Sequence, residues 1–316
     1  MSVTSMRRRI PVAGAVLAAA ALTLTACSSA GSAAVPDDAS SGEGAEASAV
    51  FADAPVADDD LILPGSTMEA IRERGTLVVA EALDAPLLSQ QDPTNPDSVT
   101  GFDADLAKLL AIYILGEPNV EIVPPASETR EALLANGTVD VVFNTYTITE
   151  ERAEQVSFAG PYFSSGLAVA VGADEEDITG IDDLGGKTVI VGANTPAVTA
   201  VPEHQPTAEL IDFATDPQAV QALIQGRGDA YVQDYTLLAS DAASNDAIKV
   251  VGQPFTSEPY GIGLAHGDED FKQFINDWLL KIQEGGQWGA AWQASLGTVV
   301  ESDVPTPPAI GSVPGS

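Results

Sequence analysis

Residues 120–144, VEIVPPASETREALLANGTVDVVFN, and residues 208–234, AELIDFATDPQAVQALIQGRGDAYVQD, follow one plan. Each has a short apolar run, a stretch of helical spacing closed by a glycine (Gly137, Gly226), and then a second apolar run. Strand, helix and strand in that order build sheets with helices on their faces, so the repetition commits the chain to an α/β fold on largely parallel sheets. In the second unit Asp216 stands as helix N-cap, Pro217 at the first helical position and Gly226 as the stop. The likeness reads either as two lobes of similar construction or as two units of one continuous sheet. Upstream, GTLVVA (75–80) reads as a first strand. GFDADLAKLLAIYILG (101–116) then spaces Phe102, Leu106, Leu109, Leu110 and Tyr113 along one helical face before Gly116. In an α/β lobe the ligand crevice forms at the carboxyl ends of the strands, beside helix N-termini.

The two ends have a different composition. Arg7, Arg8 and Arg9 precede an apolar run to Leu24, which at about 15 residues is shorter than the roughly 20 of a membrane-spanning helix. Residues 1–26 therefore read as an export signal, with an uncleaved anchor as the alternative. Thr25 and Ala26 before the lone Cys27 resemble a bacterial lipobox. That resemblance implies that Cys27 carries diacylglycerol, becomes the first mature residue and, with palmitate-type acylation, holds the protein at the outer face of the cell membrane. Residues 27–60 are poor in large apolar side chains and read as a disordered acidic tether. Residues 301–316 are proline-rich and read as a flexible tail.

Scarcity narrows the chemistry. Cys27 is the only cysteine, and His204 and His266 are the only histidines. Thiolate metal sites and histidine general bases have little to draw on, and neither a metal nor a cofactor is expected. With 46 Asp and Glu against 13 Lys and Arg, the chain carries a formal charge of −33. Such a surface repels nucleic acid and stays soluble, and a monomer is expected.

Beyond the signal, five arginines remain: Arg72, Arg74, Arg130, Arg152 and Arg227. Arg152 closes NTYTITEER (144–152), where Thr149 reads as the N-cap of a helix with Glu150 and Glu151 in its first turn. A cation in that turn opposes the helix dipole, which points to a site. Read as extended, Thr145 and Thr147 project to one face and converge with Arg152 on an anion, the guanidinium gripping a carboxylate as a fork. The plain alternative is an exposed Arg152 paired with Glu151 or Glu154. Arg130 repeats the arrangement behind Ser127, read as an N-cap. In VGANTPAV, Thr195 is either a cap ahead of Pro196 or a ligand contact, and Asp234 is either a cap for YTLLAS or the partner of a ligand ammonium.

Taken together, GFDADLAKLLA, VDVVFNTYTITEERAEQVSFAGPYF, LGGKTVIVGANTPAV and SEPYGIGLAHGDEDFKQFINDWLLKIQEGGQWGAAW resemble, in order from about Met68 to Leu296, the family 3 extracellular solute-binding proteins of polar amino acid ABC importers. Among branches, the glutamate-binding lipoproteins are most similar, through SETREALLANGTVD, SFAGPYF and TPA. The resemblance implies a bilobed type II periplasmic-binding-protein fold with two crossing strands, near GLAVAV and VVGQPF. Lobe 1 would comprise residues 61–165 and 257–300, and lobe 2 residues 166–256. It implies a receptor that closes on an amino acid and presents it to a membrane-embedded ABC permease, without being an enzyme. Arg152, with Thr145, Thr147 and Thr195, would take the α-carboxylate; Asp234 would take the α-ammonium; Ser127 and Arg130 would meet a side-chain carboxylate, which favours glutamate or aspartate. Glu81 and Asp84 after the first strand favour a cationic side chain instead, and Asn144 and Asn194 are further specificity candidates. A ligand sensor or adhesin, and a dehydratase-like enzyme with Glu81 or Asp84 as acid, are the alternative classes.

Overall fold

A computed structural model describes residues 49–299 and 303–316. The export signal, Cys27 and most of the tether lie outside the described residues. Apolar alternation and glycine stops give the elements expected of them. The chain forms β1 (Leu77–Ala80), a three-stranded antiparallel ribbon of β2 (Asp84–Ala85), β3 (Ser89–Asp92) and β4 (Asn95–Thr100), and the helix Phe102–Leu115. That helix buries all five residues of its expected face, and Gly116 ends it at φ 82°, a left-handed conformation that costs glycine little. Then follow β5 (Val120–Val123), the helix Arg130–Ala135, β6 (Val141–Val142) and β7 (Ser157–Ser165). Six more strands complete the set: β8 (Leu167–Gly172), β9 (Thr188–Gly192), β10 (Glu209–Phe213), β11 (Ala230–Asp234), β12 (Ile248–Val251) and β13 (Glu258–Leu264).

Two five-stranded sheets result, each the centre of an α/β lobe. Lobe 1 has the order β5-β1-β6-β13-β7 and lobe 2 the order β10-β9-β11-β8-β12. The two lobes repeat one design. In each, three neighbouring strands run parallel, as β1 does with β5 and β6, and β9 with β10 and β11. One strand in each sheet runs against the rest: β13 pairs antiparallel with β6 and β7, and β8 with β11 and β12. These two strands are the ones entered at the crossings: β7 passes through Gly166 into β8, and β12 returns through residues 252–257 into β13. The sheets are therefore mixed, because a strand entering from the other lobe arrives in the opposite direction.

The ends of the described chain depart from expectation. Val50 is fully buried in the core of lobe 1, and the Ala57 N–H donates to Tyr113 O at 2.8 Å, so the chain joins that lobe from about residue 49 rather than 61. The last residues also dock. Gly311 N–H donates to Gly160 O at 2.8 Å, Ile310 packs on the main core of lobe 1, and Val313 packs on its second apolar cluster. Among the described residues no helix is long and apolar enough to cross a membrane.

Candidate functional site

The carboxyl ends of both sheets face a single cavity of about 250 Å³. Ser127, Arg130, Thr145, Thr147, Arg152, Thr195 and Asp234 all line it, together with Asp84 and Asn144. Lobe 1 and lobe 2 are closed over it. Ser127 N–H donates to Ala214 O at 3.3 Å, Arg152 Nη2 to Asn194 O at 2.7 Å, and Asn194 Nδ2 to Glu131 Oε2 at 3.4 Å.

Arg152 sits where its local sequence puts it. Thr149 Oγ1 caps the short helix Glu150–Ala153 by accepting from Arg152 N at 3.2 Å, and this fixes the arginine in the first turn. Its side chain folds inward and is 6% exposed. Nη1 donates to Thr147 O at 2.7 Å, Nη2 reaches Asn194, and Nε stands 3.6 Å from Glu131 Oε1. Guanidinium carries five N–H donors, so Arg152 keeps donors for an anion. Arg130 is 3% exposed; Nε donates to Ser127 O at 3.0 Å and Nη1 to Asn144 O at 3.2 Å. Both guanidinium carbons lie over the ring of Tyr146, at 4.4 Å for Arg130 and 4.8 Å for Arg152. The π face offsets part of the repulsion between two cations held in one wall. Burial first, and Arg152 second, push the Arg130 guanidinium down to about 9.

Asp234 fills the first of its candidate roles. It caps the helix Tyr235–Ser244 through Oδ1, which accepts from Thr236 N at 2.9 Å. The same oxygen accepts from Ser165 Oγ at 2.9 Å and from the hydroxyl of Tyr260, both of lobe 1. Oδ2 is buried and has no hydrogen-bond partner. Burial raises the carboxyl above its ordinary range, opposed by these donors. A buried acceptor with nothing to accept from, in the lining of a cavity, is a demand that an ammonium group meets.

Several local readings are revised. Thr145 is not extended; it adopts φ 42°, costly for a β-branched residue, and Asp103 Oδ2 holds it there by accepting from Thr145 N at 2.9 Å. Thr195 does not cap the helix Ala197–His204; its hydroxyl donates to Gly192 O at 2.8 Å, and a Cβ on Gly192 would lie 2.8 Å from both Thr195 Cγ2 and Gln233 Nε2. Ser127 lies in a 3₁₀ turn that precedes Arg130, without a capping bond. Asp216 is the first residue of the helix Asp216–Ile224 rather than its cap, and its Oδ1 accepts from Tyr231 OH at 2.7 Å. Glu81 does not line the cavity. It lies buried under a separate hollow beside Lys108, both oxygens unpartnered, and burial with Asp103 nearby holds it well above the carboxylate range. The hydroxyl of Ser89 beside it is committed to Ala82 O at 2.5 Å. Asn194 is outside the cavity too, and acts through its carbonyl as the acceptor for Arg152.

Three acids that the sequence reading did not assign to the site line the cavity: Asp103, Asp216 and Glu258. Asp103 also accepts from Tyr162 OH at 2.8 Å, and burial pushes it up to about 6. Burial raises Glu258, whose Oε1 accepts from Thr256 Oγ1 at 2.7 Å. A carboxylate at the second position of a helix buried nearly all round is the signal that could have found Asp103. Glu258 opens the strand that returns from lobe 2, and nothing local marks it. Among the described residues no cluster of His, Cys, Asp or Glu could hold a metal ion.

Known proteins are similar to this chain in sequence and fold. The model of the bacterial extracellular solute-binding proteins, family 3, matches residues 77–296. The ABC transporter glutamine-binding protein GlnH of Bacillus subtilis is 33% identical over 224 residues, 70% of this chain and 81% of that protein. The glutamate-binding protein GluB of Corynebacterium glutamicum is 32% identical over 257 residues, 76% of this chain and 86% of that protein. The crystal structure of a solute receptor for L-cysteine from Neisseria gonorrhoeae superposes with a TM-score of 0.69 at 30% identity, covering 74% of this chain and 95% of that one.

Proposed function

The chain belongs to the bacterial extracellular solute-binding proteins, family 3, and from that membership we propose that it is the receptor of an ABC importer for a polar amino acid. Arg152, helped by Thr145, Thr147 and Thr195, grips the α-carboxylate. Asp234 accepts from the α-ammonium. Arg130 and Ser127 meet a carboxylate at the end of the side chain, which favours glutamate or aspartate. Cys27 anchors the receptor to the outer membrane face through lipid, and the closed form is presented to the permease. The observation that carries this reading is the pairing, in one cavity, of a buried guanidinium with spare donors and a buried carboxylate whose Oδ2 lacks a partner.

No bond of the ligand need break. Closing the lobes brings the lobe 1 arginines and the lobe 2 aspartate onto one zwitterion, and the ligand shifts the equilibrium by its preference for the closed state. A second reading has one observation in its favour: Asp84 and Asp216 line the same cavity and suit a basic or neutral side chain. Thermal unfolding against the twenty amino acids separates the two. At about 100 times its dissociation constant, a true ligand adds roughly 2.7 kcal/mol of stability. Stabilisation by acidic amino acids, lost in Arg130→Ala, supports the first reading; stabilisation by none of the twenty, nor by any non-protein or dimeric amino acid, defeats the amino acid receptor.

A further inference from the structure

The end of the cavity away from Arg152 holds charges of both signs. Arg130 has committed Nε and Nη1, while its Nη2 makes no hydrogen bond among the described residues, although the side chain is buried and lines the cavity. Asp84, from β2 of lobe 1, and Asp216, from lobe 2, line the cavity with it. The Ser127 to Ala214 hydrogen bond joins the turn before Arg130 to the strand end just before Asp216, so these groups share one end. Asp84 opposes Asp216 electrostatically across the cleft, and Asp241 stands behind them, buried, with Oδ2 unpartnered. Among the described residues the ion pairs are Arg72 with Asp59, Arg74 with Asp140, Lys108 with Asp105 and Arg152 with Glu131, so none of these three carboxyls has a basic partner.

Closing a cleft over unpaired charges of either sign is expensive, because each loses water without gaining a counter-ion. Glutamate would satisfy Arg130 and leave Asp216 uncompensated, beside the exposed Asp84, which adds negative charge at the same end. Lysine would do the reverse. A second α-amino-acid head supplies carboxylate and ammonium together, the same pair that Arg152 and Asp234 require at the near end. A hydrogen-bonded chain links the two ends. Asp234 N–H donates to Gln233 Oε1 at 3.0 Å, Gln233 Nε2 to Tyr231 OH at 3.0 Å, and Tyr231 OH to Asp216 Oδ1 at 2.7 Å. The side chains of Ala82, Leu88, Pro124, Ala126 and Leu167 give the lining an apolar share suited to a hydrocarbon or sulfur linker.

We infer that the far end of the cavity is a second zwitterion clamp, with Arg130 for carboxylate and Asp84 with Asp216 for ammonium, and that the ligand carries an amino-acid head at each end. Its class is a diamino dicarboxylic acid, or two amino acids joined through their side chains. This rests on the reading of Arg152 and Asp234 above and extends it. Asp216 and Asp84 become specificity-determining residues, and the distal carboxylate assigned to Arg130 becomes half of a second head.

Titration calorimetry on the mature protein freed of bound ligand tests it with four probes: L-glutamate, L-lysine, meso-2,6-diaminopimelate and L-cystine. The expected result is that one of the two double-headed probes binds at least tenfold more tightly than glutamate or lysine. Asp216→Asn should weaken that probe tenfold or more and strengthen glutamate, since it removes a repelling carboxylate. Asp84→Asn, at an exposed position, should give the same opposed changes, and covers the case in which Asp216→Asn fails to fold. Glutamate or lysine binding as tightly as both double-headed probes overturns the inference, and so does a substitution that weakens glutamate together with them. Glutamate binding that Arg152→Ala abolishes, without binding of either double-headed probe, sinks the second clamp alone. Binding of none of the four, with no other amino acid bound either, sinks the receptor reading beneath it.

Discussion

The two walls of the cavity differ in kind. Lobe 1 contributes both cations, Arg130 and Arg152, held against the ring of Tyr146, beside the carboxyls of Asp84, Asp103 and Glu258. Lobe 2 contributes no cation to the lining, but the carboxyls of Asp216 and Asp234, the hydroxyl of Thr195 and the amide of Gln233. Lobe 2 alone therefore cannot neutralise the carboxylate of a zwitterion. The sheets behind the walls repeat one design, so the division of charge is a property of the loops and helix starts at their carboxyl ends. Common architecture fixes where a site lies, and the few side chains projecting there fix what it recognises.

The sharpest way to break this contrast is Arg152→Ala. It should remove roughly 3–5 kcal/mol of binding free energy for every amino acid, because the ligand carboxylate would lie buried without a partner. Calorimetric titration reads it, and retained affinity would show that the positive wall is not the one that binds. Asp234→Asn tests the opposite wall and should cost less, about 1.5–3 kcal/mol, since the amide still caps the helix Tyr235–Ser244 but loses the charge facing the ammonium. If Asp234→Asn bound as tightly as the parent, lobe 2 would be a passive lid.

Acid titration sharpens the contrast in the unliganded protein. Asp103 holds its proton up to about 6, above the range of an unfolded aspartate, and burial raises Asp216 and Asp241 as well, with repulsion from Asp84 added at Asp216 and from Asp216 at Asp241. The folded state therefore binds more protons than the unfolded chain once pH exceeds about 4. Stability contributed by these protons is present in acid and falls as pH rises through 4 to 6 for Asp103, with the lobe 2 pair adding a further decline above that. Melting temperature followed against pH should show it, and Asp241→Asn should flatten the upper part; a melting temperature climbing across that range would contradict it. The smallest effect is expected for Tyr231→Phe, which removes the hydroxyl between Gln233 and Asp216. It should cost about 0.5–1.5 kcal/mol in urea unfolding.

Much of this was legible because local chemistry decided it. The spacing of Phe102, Leu106, Leu109, Leu110 and Tyr113 fixes a helix face whatever it packs against, and Thr149 caps its helix with its own side chain. The odd placement of Arg152 in a first turn also marked a residue whose partners lie beyond that turn. What could not be read depends on partners distant in sequence. Asp103 meets Thr145 and Tyr162 only after folding, and it holds Thr145 in a left-handed conformation that no pattern of alternating hydroxyls announces. The ribbon of β2, β3 and β4 has little apolar alternation to reveal it. Glu81 and Asp84 are three residues apart, yet one is sealed beneath lobe 1 and the other opens on the cavity. The turn between them, rather than composition, decides which carboxylate meets a ligand.

Both ends of the described chain finish on lobe 1: Val50 is sunk in its core, and Gly311 and Val313 are fastened to its surface. Lobe 2 is spliced in through its two crossings, and neither end of the described chain lies on it. Any leash running from either end thus pulls on one half of the molecule and leaves the other free to swing, a fixed jaw and a moving jaw. Mechanical load from a surface would be borne by the half that holds the arginines, and the half that holds Asp234 could open and shut without dragging the leash.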